Sequence, residues 1–373
     1  MLYTPPGVLL FVRQRTLMAQ PFSLEAFETT ADPVRVAELS ALSGAVNTGS
    51  ISVSASANGT IAFRGASGVQ TGGMRLVWFD RSGKEIGNVG AVDPGFLVDI
   101  GLSPDGTHIV ASRSPNRAMG GLDVWIIETE RGVSTRLTSD PATDQMPLWS
   151  PDGKRIVFAS NRKGTMDLYE APFNSSGSEN LLLELPGTTV ATDWSADGRF
   201  ILYSELSPTS GFDLWALPLF GDKKPFPVAN REFDELSGQL SRDLRWIAYE
   251  SNEAERFEIV VQAFRDPTVK WQISSGGGMM PRWRADGREL FYVAPDGTLM
   301  AAPITPSADG GTLQPGRPVP LVRDRLVFDA YRGARNNRYA VTPDGQRFLM
   351  IVPAEEAIAP VVVILNWAGV VAN

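Results

Sequence analysis

WSPDGKRIVFASNRKGTMDLYEAP, residues 149–172, is one unit of a pattern that echoes along the whole chain. Its core, Ser-Pro-Asp-Gly, is a turn: proline presets φ near −65°, an Asp or Ser oxygen can accept a nearby backbone N–H, and glycine takes the left-handed conformation that closes a short hairpin. The phrase, or a near variant, occurs seven times, with Asn58, Asp105, Asp152, Asp197, Asp243, Asp286 and Asp344 at the Asp position. Successive gaps are 47, 47, 45, 46, 43 and 58 residues. That period matches four-stranded propeller blades and exceeds leucine-rich or tetratricopeptide units. Leu244 follows Asp243 where glycine is usual, so this hairpin must use another geometry or accept strain of about 1 kcal/mol.

The units share an internal order. An apolar residue, often Trp (Trp149, Trp194, Trp283), precedes the turn, and RIVFAS, FILYSE or WIAYES follows it. These runs are rich in β-branched and aromatic residues and too short for helices, so they predict strands. A second hairpin leads to DVWIIE, DLYEAP, DLWALP and EIVVQA, opening at Asp123, Asp167, Asp213 and Glu258, and a fourth short strand follows. The inner strands are almost continuously apolar, as expected when both sheet faces pack on neighbours. The predicted fold is an all-β propeller of four-stranded antiparallel blades.

The blade count comes from the ends. LFVRQRTLMAQPF (10–22) echoes LFYVAPDGTLMAAPI (290–304), offset by six periods of 47. Residues 1–45 then read as a partial first blade whose first strand is missing, 46–325 as six full blades, and 326–373 as a partial last blade of three strands. A single ring of seven or eight blades over 1–373 follows, eight being preferred, with first and last incomplete. The long final gap contains TPSADGGTLQPGRP, which reads as a loop insertion. A start in mid-blade also suits a chain cut from a longer parent.

Composition narrows the function classes. Hydrophobic residues make up 43% and charged residues 20% of 373, normal for a protein with a sizeable core, and 36 Gly and 27 Pro are spread as turn punctuation. A net charge of −8 and no basic run argue against nucleic acid. Without cysteine there is no disulfide framework, thiolate nucleophile or cysteine-bound metal. MLYTPPGVLLFVRQRTLM lacks the charged region and apolar length of a secretion signal, and the longest apolar runs, such as VVVIL (361–365), are too short to span a bilayer.

The repeated SPDGKRIVFASNR...DLYEAP resembles the TolB-like, WD-type propeller repeat over essentially the entire chain. More narrowly, LLFVRQRTLMAQPF, LVWFDRSGKEIGNVG, LWALPLFGDKKPFPVA and PRWRADGRELFYVAPDGTLMA look like the extracytoplasmic carboxyl-terminal region of some bacterial serine/threonine protein kinases. There, a kinase domain and a membrane helix precede the propeller, so the resemblance is compatible with a longer parent carrying both, or with a free-standing relative of TolB. This chain has neither a kinase Gly-rich loop nor the HRD and DFG strings. The likeness implies a periplasmic or extracytoplasmic binding or sensor module that works through a protein or peptide partner.

Candidate chemistry is sparse. His108, the only histidine, falls in a column that holds Arg155, Phe200, Trp246 and Glu289 elsewhere, an ordinary hairpin position, and no Gly-x-Ser-x-Gly elbow is present. The turn aspartates are one per blade and cannot converge on a metal, so no catalytic residue, metal or cofactor is expected. Loops between second and third strands share one face with the blade-to-blade connections, and variable loops on a rigid ring are where specificity resides. The candidate partner-binding residues on that face are Arg113, Asp144, Asn161, Arg162, Glu205, Glu235, Asn252, Glu253 and Met279. The acids opening the third strands either ring a mouth or accept loop N–H groups and tie blades together. Met279, with Met280, offers an adaptable apolar contact or fills a buried gap. The expected function is a non-catalytic binding or sensor module that recognises a protein, peptide or envelope component on one face of the ring. The alternative is a glycosidase- or lyase-like propeller enzyme with paired carboxylates at the channel mouth.

Overall fold

The computed structural model describes residues 2–4, 7–13, 16–38, 53–56, 60–64, 73–114, 121–174, 177–207, 211–307, 311–323, 337–354 and 361–364. Every regular element among them is a strand, and the sheets are antiparallel. The turn phrase works as its residues predict. In blade after blade the Ser or Thr hydroxyl donates to the Asp carboxylate, at 2.6 Å for Ser103 and Asp105, 2.5 Å for Ser150 and Asp152, and 2.7 Å for Ser195 and Asp197. That carboxylate accepts the N–H two residues on, while the hydroxyl accepts the N–H that starts the next strand. The position after Asp is left-handed throughout, including Leu244 at φ 58°, so this hairpin keeps the common geometry with a residue that is strained in it. Asn58 lies outside the described residues.

The chain divides into two compact units, 74–352 and the combination of 1–73 with 353–373. In the first, five blades follow in sequence at 96–136, 144–183, 189–229, 235–272 and 279–322. Blade 1 shows the plan: Phe96–Leu102, His108–Ser114, Asp123–Glu128 and Ser134–Arg136, each paired with the next. Blade 6 is assembled from distant segments. Tyr339–Val341 and Arg347–Pro353 supply its inner strands, and Met74–Asp80 and Glu85–Asp93 its outer ones. Neighbouring blades bury apolar clusters between them, Phe291 against Phe348 at 5.1 Å between blades 5 and 6, and Leu349 and Ile351 with Leu97 and Ile109 between blades 6 and 1. These six blades therefore close a ring on their own.

This corrects the expected single ring of seven or eight blades. The unit predicted around Asn58 is divided: Met74–Asp93 completes blade 6, whereas Val53–Ala55 and Ile61–Arg64 form a three-stranded sheet with Val361–Ile364. Pairing the two segments satisfies sheet edges that would otherwise be open. The amino-terminal sheet also departs from expectation. Its first strand is present as Leu2–Thr4, paired with Val8–Arg13 through a turn at Gly7, and Thr16–Ser23 and Val34–Glu38 continue it. The segment 305–318, expected as loop, contributes Leu313–Pro315, which extends a hairpin with Ile304–Pro306.

Inner strands carry most of the ring's polar ties. Irregular registers interrupt several of them, and Met146, Ser237 and Met280 take left-handed φ of 54°, 56° and 53° there. These kinks turn N–H groups toward the preceding blade. Asp99, fully buried, accepts Asn337 N–H of blade 6 at 2.9 Å on one oxygen and Met146 N–H of blade 2 at 3.3 Å on the other. Glu250 of blade 4 takes the Met280 N–H of blade 5 at 2.8 Å.

Because Asp99→Ala removes the acceptor of the buried Asn337 N–H and leaves Met146 N–H only its bond to the Ser112 hydroxyl, and a buried unpaired N–H costs about 1–3 kcal/mol, the substitution should lower urea stability by about 2 kcal/mol. Gly153→Ala, at φ 69° with an ordinary 3.8 Å contact of the added carbon to Pro104, should cost only about 1 kcal/mol.

Candidate functional site

The end of the ring that carries the second-to-third-strand loops and the blade-to-blade connections holds every candidate residue read from the sequence within blades 1 to 5. Three of the four acids that open the third strands hold the fourth strand or outgoing connection of their own blade. Asp123 accepts from Arg136 at 2.7 Å, Asp167 accepts the Leu185 N–H at 3.3 Å, and Glu258 accepts the Gly277 N–H at 3.0 Å and the Ser274 hydroxyl. They are buried and serve as clamps.

The loop residues add a second set of clamps. Asn161 accepts the Thr143 N–H at 2.8 Å, and Asn252 repeats the contact one blade pair on, accepting the Asp234 N–H at 2.9 Å and returning a bond to its carboxylate. Arg162 bonds fully buried Asp144 at 3.2 Å, reaches Glu179 at 2.5 Å and lies 4.3 Å over the Tyr169 ring. Arg113 crosses a seam to Asp93 of blade 6 at 2.5 Å while resting 4.6 Å over Trp125. Glu253 pairs with Lys270 and lies 3.9 Å from Arg231. Met279 is buried in the core with Val293 and Leu299, so it fills a gap and offers no surface contact.

Between blades 3 and 4 the face becomes acidic. Glu205 lies opposite Asp213 in register, and burial, then the Asp213 charge, pushes its carboxyl up. Glu235 accepts the Arg231 N–H, yet burial raises it to about 7, with Asp213 and Glu253 adding to the rise.

Sequence reading missed one column of the innermost strands. Four residues before each turn Asp stand Gly101, Leu148, Asp193, Gln239, Arg282 and Ala340 on the innermost strands. Three of these are polar and interact. Asp193 accepts the Leu240 N–H at 2.7 Å, Gln239 donates to the Thr192 carbonyl at 2.5 Å, and Arg282 donates to the Asn337 side chain and lies 5.9 Å from the Tyr339 ring. Burial pushes the Asp193 carboxyl up to about 7, against the pull of the Leu240 N–H and the Arg282 guanidinium. The signal was a polar residue in a column that holds Leu or a small residue elsewhere. His108 is structural, edge-on to Phe173 at 5.1 Å and bonded to Thr107. Among the described residues no three His, Asp or Glu side chains gather as a metal site requires.

Closed ring, four-stranded blades and the repeated Ser-x-Asp-Gly turn together define a β-propeller. Residues 88–214 match the TolB beta propeller domain, PD40. The uncharacterised protein Atu1656 of Agrobacterium fabrum is 26% identical over 222 residues, 54% of this chain and 72% of that one. A solved TolB-type structure from Agrobacterium tumefaciens superposes with a TM-score of 0.57 at 18% identity, covering 75% of this chain and 97% of that one. TolB from Acinetobacter baumannii gives 0.51 at 13% identity, covering 85% and 82%. At such identities the structural likeness concerns the fold.

Glu235 and Asp193 make stability fall with pH. A carboxyl whose pKa is higher folded than unfolded keeps its proton longer in the native state, so the native state loses ground as pH rises between the two values. The window runs from the ordinary values of 4.5 and 3.8 up to about 7. Glu235→Gln should flatten part of the decline in urea midpoint between pH 4.5 and 7, and Asp193→Asn should flatten another part.

Proposed function

We propose that this propeller is a non-catalytic binding module that recognises a protein or peptide through the face bearing the second-to-third-strand loops. The observation that carries this reading is the double set of clamps. Asn161, Asn252, Arg162 and the acids at 123, 167 and 258 are engaged in fixing loops to one another. A rim fixed in this way presents its variable connections at little ordering cost on association, the property a recognition surface needs. The TolB likeness supports the same reading and an extracytoplasmic setting, with a sensor role in a longer kinase-bearing parent as its more specific form.

A second reading has its own observation. Glu235 and Asp193, each with a pKa of about 7, have the proton affinity of general acids or bases, as a propeller enzyme acting at the channel mouth requires. Both carboxyls accept backbone N–H groups that position structure, which favours the binding role.

The experiment places a photo-crosslinking residue at Glu253 or Asp140 on the loop face, or at Asp243 on the turn face, of the full chain in its native host. Binding predicts one discrete adduct from the loop-face positions and none from Asp243. Consumption of an oligosaccharide by the purified chain, abolished in Glu235→Gln and without any adduct, would replace this reading with the enzymatic one.

A further inference from the structure

On the turn face, five of the six seams between blades are filled by a large side chain or an ion pair. Trp149 of blade 2 and Trp283 of blade 5 stand three residues before their turn Asp and donate their indole N–H to the carbonyls of Gly101 and Gln239 in the preceding blades, both at 3.1 Å. Trp194 of blade 3 lies 4.9 Å beneath the Arg155 guanidinium. Where the column holds Leu240, Phe200, Phe226 and Phe264 gather around Arg265. Where it holds Val341, Arg81 of blade 6 makes a two-pronged pair with Glu289 at 2.7 and 3.0 Å and bonds the Gly345 carbonyl.

In the seam between blades 6 and 1 the large side chain, Trp78, stacks with Arg347 of its own blade instead of pairing with the neighbouring one. The column residue of this seam is Leu102, which packs against the apolar cluster between the two blades, and a cavity of about 430 Å³ opens beside it. A second, of about 170 Å³, lies further out along the same seam. The first is within the range of pockets that hold small ligands or single side chains. Trp78 and Leu102 give it an apolar wall, and Asp105, Glu130 and Asp344 supply three carboxylates against one guanidinium, that of Arg347, stacked 5.2 Å over Trp78. Asp105 is held at about 2 by the Ser103 hydroxyl and the Thr107 N–H and hydroxyl, and Asp344 is lowered by Thr342 and the Gln346 N–H. Both stay charged at any physiological pH.

We propose that this unplugged seam is a docking site for an arginine side chain of a peptide or protein partner. The aliphatic stem lies along Trp78 and Leu102, and the guanidinium meets the carboxylates of Asp105, Glu130 and Asp344. A neutral or acidic ligand would leave the excess negative charge unanswered. The site is on the face opposite the one assigned above and does not rest on that assignment.

The test titrates the full chain with acetyl-Gly-Arg-Gly-amide and with its citrulline counterpart, which is nearly isosteric and uncharged, by ligand-observed NMR at low salt. Arginine peptide should bind at least about tenfold more tightly, a preference that shrinks as salt screens it. Leu102→Trp, copying Trp149 and Trp283, should raise the unfolding temperature and abolish this binding. Glu130→Lys, on an exposed turn, should weaken it about tenfold. No binding by the native chain, equal binding of the two peptides, or native affinity in folded Leu102→Trp would overturn the proposal. Should Leu102→Trp not fold, Glu130→Lys decides: weakened binding upholds the site and unchanged binding overturns it.

Discussion

A single buried carboxylate, that of Asp99, spans the place where the ring closes. One oxygen holds the backbone of blade 6 and the other that of blade 2, so three blades share one acceptor. Burial raises its pKa, and the bonds from Ser112, Asn337 and Met146 oppose that rise. The arrangement matters because blade 6 is built from segments more than 200 residues apart, and its closure must be fixed by contacts that sequence proximity cannot supply. Hydrophobic clusters between blades provide the bulk of the cohesion. The directional bonds near the axis set which strand meets which.

The same logic recurs outward. Kinked inner strands direct N–H groups at side chains of the preceding blade, and the price of left-handed Met146, Ser237 and Met280 is offset where such a bond is gained, as at Met146 and Met280. Farther from the axis the acids that open third strands take over, fastening the connections. Polar groups that a motif search would flag as reactive are thus largely consumed by architecture. What distinguishes one part of the ring from another is the residue three before each turn and the residue four before it.

Much of this was legible from residues alone. The turn phrase carried its own chemistry, and Ser150 with Asp152 forms the bonds that its spacing implies. Strand order within a blade followed from periodicity, and clamping was one of two readings open to Asp123, Asp167 and Glu258. The count of blades in the ring did not, because the strands at 74–93 look like any outer pair and nothing local says that their inner partners lie at 339–353. The chemistry of that innermost column was equally hidden. Asp193, Gln239 and Arg282 share a column with Gly101, Leu148 and Ala340, and only coordinates bring members of different blades within reach. Of the two readings open for Met279, the buried one holds: it packs in the core with Val293 and Leu299.

The absent tryptophan at Leu102 has a geometric consequence. Six near-equivalent wedges would offer any recogniser six indistinguishable bearings, and a partner reading only the repeated features would settle at random among them. One seam unlike the others breaks that degeneracy and gives the ring a reference mark. It limits occupancy there to one per chain and fixes the azimuth at which whatever docks beside it must stand.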